Sequence, residues 1–334
     1  MNYVSTGGLP RNRQVQTLIE NAYQRFGSEQ GGSKSTVYPA LAAAADHAFG
    51  ICLVSAGGDL FEIGDTRTEF TLMSVSKPFT FAILCNRFGP DRMREMIGME
   101  ATGMPFNSVT AIERGKGLTN PMVNPGAIAV TSLCPGQSLE SKWDFLLGEL
   151  SSFAGEELKL DEHVFQCAME TNFRNRSISR LLQSFGRIYS DPDEALELYT
   201  RQCSLSVSAY HLASMAATLA DGGMQPITLA QVVQPMVCHY TLASMVTAGL
   251  YERSGSWLYE VGLPGKSGIS GGMITVSPGK GALGTYAPLL DEYGNSVKGQ
   301  RVAGYLSQEL GLDLFISQPI KLPRLPPEAT AEVE

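Results

Sequence analysis

Ser74 and Lys77 stand three residues apart in the apolar stretch "LMSVSKPF" (72–79). On a helix, residues i and i+3 share a face and sequence neighbours do not, so Ser74 rather than Ser76 faces Lys77. A serine hydroxyl becomes a useful nucleophile only when a nearby base takes its proton. A lysine amine can be that base once burial, or a second cation, drives off its charge. Ser74 would sit in the first turn of the helix, where free N–H groups and the helix dipole favour a developing negative charge. The spacing therefore offers a nucleophile, a base and part of an oxyanion hole. The bland alternative makes Ser74 a helix cap and Lys77 a solvated charge. Pro78 fits a first turn under either reading.

A second piece lies far along the chain, Lys266-Ser267-Gly268 within "GLPGKSGISGG" (262–272). A Lys-Ser-Gly triplet on a strand partners Ser-x-x-Lys in serine acyl-transfer enzymes of the penicillin-binding and β-lactamase type. The lysine would add positive potential where an oxyanion forms, and the glycine would let an amide approach the strand. Other chemistries find little support. His47, His163, His211 and His239 are isolated, with no HExxH and no Cys/His cluster, so no metal is expected. No phosphate-binding glycine loop opens a helix, and no cofactor is expected. A formal net charge of −8 argues against a nucleic-acid partner. Six cysteines without CxxC spacing are expected as buried free thiols. The N-terminal stretch lacks an apolar leader, and no segment reaches the roughly 18 apolar residues of a membrane span. A cytoplasmic protein without a membrane partner is expected.

These residues need elements to position them. Residues 11–26 read as a helix, 49–64 as a hairpin around a Gly-Gly-Asp turn, and 69–73 as a third strand. The helix carrying Ser74 and Lys77 follows at once. From about 90 to 250 the pattern is helical, clearest at 127–134, 141–154, 161–170, 175–185, 191–203, 208–223 and 242–251. Strands return at 271–278 and 281–288, then a helix near 299–310 and a strand at 312–317. The expected organisation is a discontinuous sheet domain (1–75 and 250–325), a helical domain (76–249) and a disordered tail (326–334). A small-molecule site would lie in the cleft between the two domains.

The motifs "SVSKPF" (74–79), "TGMPFNS" (102–108), "NPMVNPGAI" (120–128), "RNRSIS" (174–179), "LYTRQCS" (198–204), "GLYERSGSW" (249–257) and "YGNSVKG" (293–299) occur in order with "GLPGKSGISGG". Over roughly residues 35–320 the chain resembles the serine-dependent glutaminases. The resemblance implies an α/β (α+β) fold of the β-lactamase/DD-peptidase type: a mainly antiparallel sheet flanked by helices, plus an all-helical domain. It implies hydrolysis of the side-chain amide of L-glutamine to glutamate and ammonia, without a cofactor. Ser74 matches the acyl-enzyme nucleophile and Lys77 its base. Tyr199 matches a tyrosine beside the nucleophile that could relay a proton to departing ammonia. Asn124, Asn175 and Tyr251 match substrate contacts. Ile269 matches a position whose backbone N–H, with that of Ser74, holds the oxyanion, while Lys266, Ser267 and Gly268 line the site. The family commonly forms homodimers or homotetramers. By residue type alone, Tyr199 and Tyr251 could be buried aromatics and Asn124 a turn residue before Pro125.

One stretch departs from the family pattern. In "QCAMETNFRN" (166–175), Cys167 and Ala168 replace a Ser-Glu pair. That glutamate is a family substrate contact, and a carboxylate is the natural partner of an α-ammonium. Glu170 is two residues on and would rescue the contact only if the backbone there were not helical. Met73 also departs, since glutamine is common there. The expectation is a serine amidase of glutaminase type with weak or shifted use of free L-glutamine. The alternative is that Glu170 or another residue supplies the carboxylate. Competing readings are a serine β-lactamase, peptidase or esterase, for which the separate Ser-Asp-Asn motif is missing, and a non-catalytic amide-binding protein.

Overall fold

Apolar spacing of i, i+4 and i+7 puts Val15, Ile19 and Ala22 on one buried face of helix α1 (Asn12–Phe26). The structure, a computed structural model, describes residues 8–316. Strands β1 (Gly50–Ser55) and β2 (Leu60–Gly64) form the expected hairpin, with every residue of β1 buried. The third strand is shorter than its sequence suggests: β3 covers only Phe70–Thr71. Met73 has a φ of 45°, a left-handed turn that no strand can continue. A 3₁₀ turn (Met73–Val75) leads into α2 (Ser76–Phe88). Ser76 to Cys85 are all buried, the mark of a helix enclosed on every side.

The middle of the chain is helical, as its spacing implies. After α2 come α3 (Pro90–Ile97), α4 (Val109–Arg114), α5 (Asn124–Thr131) and α6 (Leu139–Ala154). A two-residue strand, β4 (Lys159–Leu160), precedes α7 (Glu162–Thr171), α8 (Phe173–Ser184) and α9 (Pro192–Cys203). Strand β5 (Leu205–Val207) then leads to α10 (Ala209–Ala220), α11 (Pro235–Ala248) and α12 (Ser254–Val261). The end of the chain supplies β6 (Gly265–Ser267), β7 (Gly272–Ser277), β8 (Gly281–Tyr286) and α13 (Val297–Glu309). Residues 312–316 form no strand; Ser317 and the tail at 326–334 lie outside the described residues.

Five strands form one antiparallel sheet in the order β2-β1-β8-β7-β6, and β3-β5-β4 form a smaller one. An apolar cluster including Ile19, Leu53, Met273, Leu283 and Val302 joins α1 and α13 to one face of the large sheet. The other face receives α10, and the close approach requires Gly284. A Cβ there would stand 2.3 Å from Ala209 O. A second cluster runs from Val54, Ile274 and Val276 through Leu212 and Met215 of α10 to Phe79 and Ile128. The sheet and the helical stretch therefore share one core, and the site forms where α2, α5 and β6 meet.

Candidate active site

The junction from β3 to α2 turns Ser74 onto a cavity of about 130 Å³. A non-glycine residue in the left-handed region costs on the order of 1–2 kcal/mol, so the turn at Met73 must be held by its surroundings. Ser76 is one restraint. Its Oγ donates to Met73 O at 2.8 Å and accepts from Gln202 Nε2 at 3.2 Å, with no exposed surface. Ser76 is thus a clamp behind the turn. Strand β6 is another restraint, since a Cβ on Gly268 would stand 3.2 Å from both Leu72 O and Val75 Cγ2. Among the described residues, neither the Ser74 N–H nor the Ile269 N–H has a backbone acceptor. Both are available to an oxyanion.

Asn124, Asn175, Tyr199 and Ile269 line the same cavity as Ser74. Asn124, at the start of α5, links them to Lys77. Lys77 Nζ donates to Asn124 Oδ1 at 2.7 Å, and the Tyr199 hydroxyl donates to the same oxygen at 3.3 Å. Asn124 Nδ2 donates to Asn175 Oδ1 at 2.9 Å. Lys77 is 1% exposed, and burial pulls its ammonium down to about 7. Burial pushes the Tyr199 phenol up, with the Cys203 thiol adding to the effect.

Lys266, Ser267, Gly268 and Tyr251, expected at the site, stand one layer behind the wall. Lys266 Nζ donates to Ser267 O at 2.8 Å and lies 4.0 Å from the centre of the Tyr251 ring. Burial first, then the charge of Lys77, holds Lys266 well below the ordinary lysine value. The Tyr251 hydroxyl donates to Ser267 O at 3.1 Å and neighbours the Ser74 side chain. Burial raises that phenol, and the contact with Ser74 partly offsets the rise. Ser267 Oγ donates to Asn295 Oδ1. Among the described residues, no group of three or more His, Cys, Asp or Glu side chains could hold a metal ion.

The wall also contains residues that sequence reasoning passed over: Tyr38, Phe106, Asn107, Arg174, Thr200 and Cys203. Phe106 and Asn107 lay within the quoted "TGMPFNS" motif but were not singled out. Phe106 packs on Tyr251, with ring centres 4.6 Å apart. Ala168 is on the wall and 2% exposed. The backbone of α7 is helical through Thr171, so Glu170 points elsewhere and is exposed.

The glutaminase family model matches residues 32–315. The chain belongs to the glutaminase family. Glutaminase 2 of Yersinia pestis is 57% identical over 320 residues, spanning 96% of this chain and 94% of that protein. Among solved structures, the probable glutaminase YbaS superposes with a TM-score of 0.91 at 40% identity, covering 92% of this chain and 100% of its own. The Bacillus subtilis glutaminase YbgJ, in covalent complex with 5-oxo-L-norleucine, gives a TM-score of 0.80 at 30% identity, covering 92% and 100%. The fold is accordingly the β-lactamase-like fold of glutaminases. In this glutaminase family member, Ser74 and Asn124 line one cavity, and Lys77 is buried behind it, bonded to Asn124.

Proposed function

We propose that the chain hydrolyses the side-chain amide of L-glutamine to glutamate and ammonia through an acyl-enzyme on Ser74. Ser74 Oγ attacks the amide carbon while its proton passes to the neutral Lys77 amine, and the Ser74 and Ile269 N–H groups receive the oxyanion. Collapse of the tetrahedral adduct breaks the C–N bond. The leaving nitrogen takes the proton from Lys77 by way of Tyr199, and ammonia departs. Water then attacks the ester, giving up its proton to Lys77, which returns it to Ser74 as glutamate leaves.

The supporting observation is that Ser74 lines the cavity while Lys77, its amine held at about 7, bonds to Asn124 in the same wall. A general base serves best with a pKa near the working pH. The covalent YbgJ complex was formed with a diazo-ketone, 6-diazo-5-oxo-L-norleucine. The test is ammonia release from L-glutamine, with mass spectrometry after treatment with the same diazo-ketone. Wild type should release ammonia and gain one covalent adduct at Ser74, and Ser74→Ala should do neither. Equal turnover by Ser74→Ala would refute the mechanism.

Six cysteines without a disulfide suit a reducing compartment, which supports placement in the cytoplasm. Among the described residues, no helix is long and apolar enough to cross a membrane. A homodimer or homotetramer is the proposed assembly, to be checked by light scattering on a sizing column.

A further inference from the structure

We infer that the cavity takes side-chain amides that carry a carboxylate but no free α-ammonium, glutaramate being the simplest, with a kcat/KM within tenfold of that for free L-glutamine or above it. The inference rests on the amidase reading of Ser74 and concerns which molecule that serine meets. Among the described residues, the wall holds no aspartate or glutamate. At Ala168, 2% exposed on α7, the wall presents a methyl group. The acid nearest it in sequence, Glu170, is exposed on another face of the helix. An ammonium brought into this space would meet neutral acceptors only.

Among the described residues, the one permanently charged side chain on the wall is positive. Arg174 stands on the wall, its Nε donating to Asn107 O at 2.9 Å, and its guanidinium makes no ion pair among the described residues. Lys77 and Lys266 lie behind the wall and add positive potential whenever either is protonated. A carboxylate is drawn to such a surface, and a guanidinium is the donor best shaped to receive it. An ammonium is repelled and would also shed water without gaining a charged partner. Ser204 adds a second sign of an unfilled site. It lines the cavity with no exposed surface, and its Oγ has no partner among the described residues. A lone hydroxyl can donate to a carboxylate or carbonyl oxygen, but it cannot neutralise a cation.

Glutaramate is glutamine without the α-amino group, so the ratio of kcat/KM for the two isolates what the ammonium contributes. Where an ammonium binds a charged partner, its deletion costs about ten- to hundred-fold. The experiment measures ammonia release by wild type from L-glutamine and from glutaramate, with Ser74→Ala as the control for each. Glutaramate within tenfold of glutamine, or better, supports the inference. A Ser74-dependent glutamine activity more than tenfold above that on glutaramate overturns it and leaves the glutaminase mechanism standing. No Ser74-dependent release from either substrate overturns both. In Ala168→Glu, the glutamine-to-glutaramate ratio should rise at least tenfold, and an unchanged ratio in a folded variant counts against the inference. Should that variant fail to fold, the wild-type ratio decides alone.

Discussion

Replacing Lys77 with methionine keeps an unbranched chain in a buried slot and removes the proposed base. In wild type the amine titrates at about 7, because burial disfavours its charge. At pH 6 about a tenth of the molecules hold the neutral amine, and at pH 8 about nine-tenths do. Wild-type kcat/KM for amide hydrolysis should therefore climb about tenfold per pH unit below 7 and level off above it. Burial pushes Tyr199, Tyr251 and Cys203 up, while Lys266, which feels the charge of Lys77, is held low. In Lys77→Met, kcat/KM at pH 8 should fall about 10²- to 10⁴-fold, the usual worth of a general base, and the rise through 7 should vanish. Stability gives an independent reading. The folded value lies below the ordinary 10.5, so between about 7 and 10.5 the unfolded chain binds more protons than the folded one. This group's contribution to stability therefore increases with pH across that window and is least favourable below it. At about 1.4 kcal/mol per tenfold, the buried ammonium costs about 5 kcal/mol in all, of which about 2 is relieved between pH 7 and 9. Urea unfolding at those two pH values should show a rise in stability about 2 kcal/mol larger in wild type than in Lys77→Met, where buried Lys266 still contributes its own. A flat wild-type rate profile from pH 6 to 8, or a variant that keeps the rise, would refute the assignment of the base.

Two further substitutions probe how the site is held. Gly268→Ala places a methyl group 3.2 Å from Leu72 O and Val75 Cγ2, against the turn that carries Ser74. The neighbours must give by a few tenths of an ångström, so kcat should fall, by less than the about 10²-fold that a 1 Å displacement costs, while circular dichroism shows a folded chain. Asn124→Leu removes the acceptor of Lys77 and leaves a buried amine unpartnered, at about 1–3 kcal/mol in urea unfolding. Because Asn124 Oδ1 favours the ammonium, its loss should also move the rise in kcat/KM to lower pH.

The helices and hairpin were legible because their signals are local. The "DPDEALELYTRQC" stretch, for instance, begins α9 with the Asp191 side chain accepting from the Asp193 and Glu194 N–H groups, as its acidic start implies. Strand β5 was not legible. Three residues between two helices carry no usable period, and its partner, Phe70 opposite Val207, is far away in sequence. The shortening of β3 was hidden for another reason: the positive φ of Met73 is imposed by packing and leaves no trace in residue type. At the site, i+3 spacing singled out Ser74 and Lys77, although Ser74 falls in the 3₁₀ turn before α2 rather than in its first helical turn. It could not show that Lys77 bonds to Asn124, 47 residues away. The Lys-Ser-Gly triplet stands next to the residues that line the cavity, where spacing alone could not fix which side chains reach it.

The layer behind the wall bears on how the chemistry can work. A lysine on the cavity surface would reach water, keep its charge and be useless as a base near neutral pH. Placing Lys77 behind Asn124 buries the amine away from water while the asparagine keeps it bonded to the cavity wall. The wall and the hidden layer thus have separate duties. In the proposed mechanism Asn124, Asn175, Tyr199 and Ser74 meet the substrate, and Lys77 takes up and returns the proton from behind. Changes on the wall, such as alanine at 168, can then redirect which amide binds without touching the base.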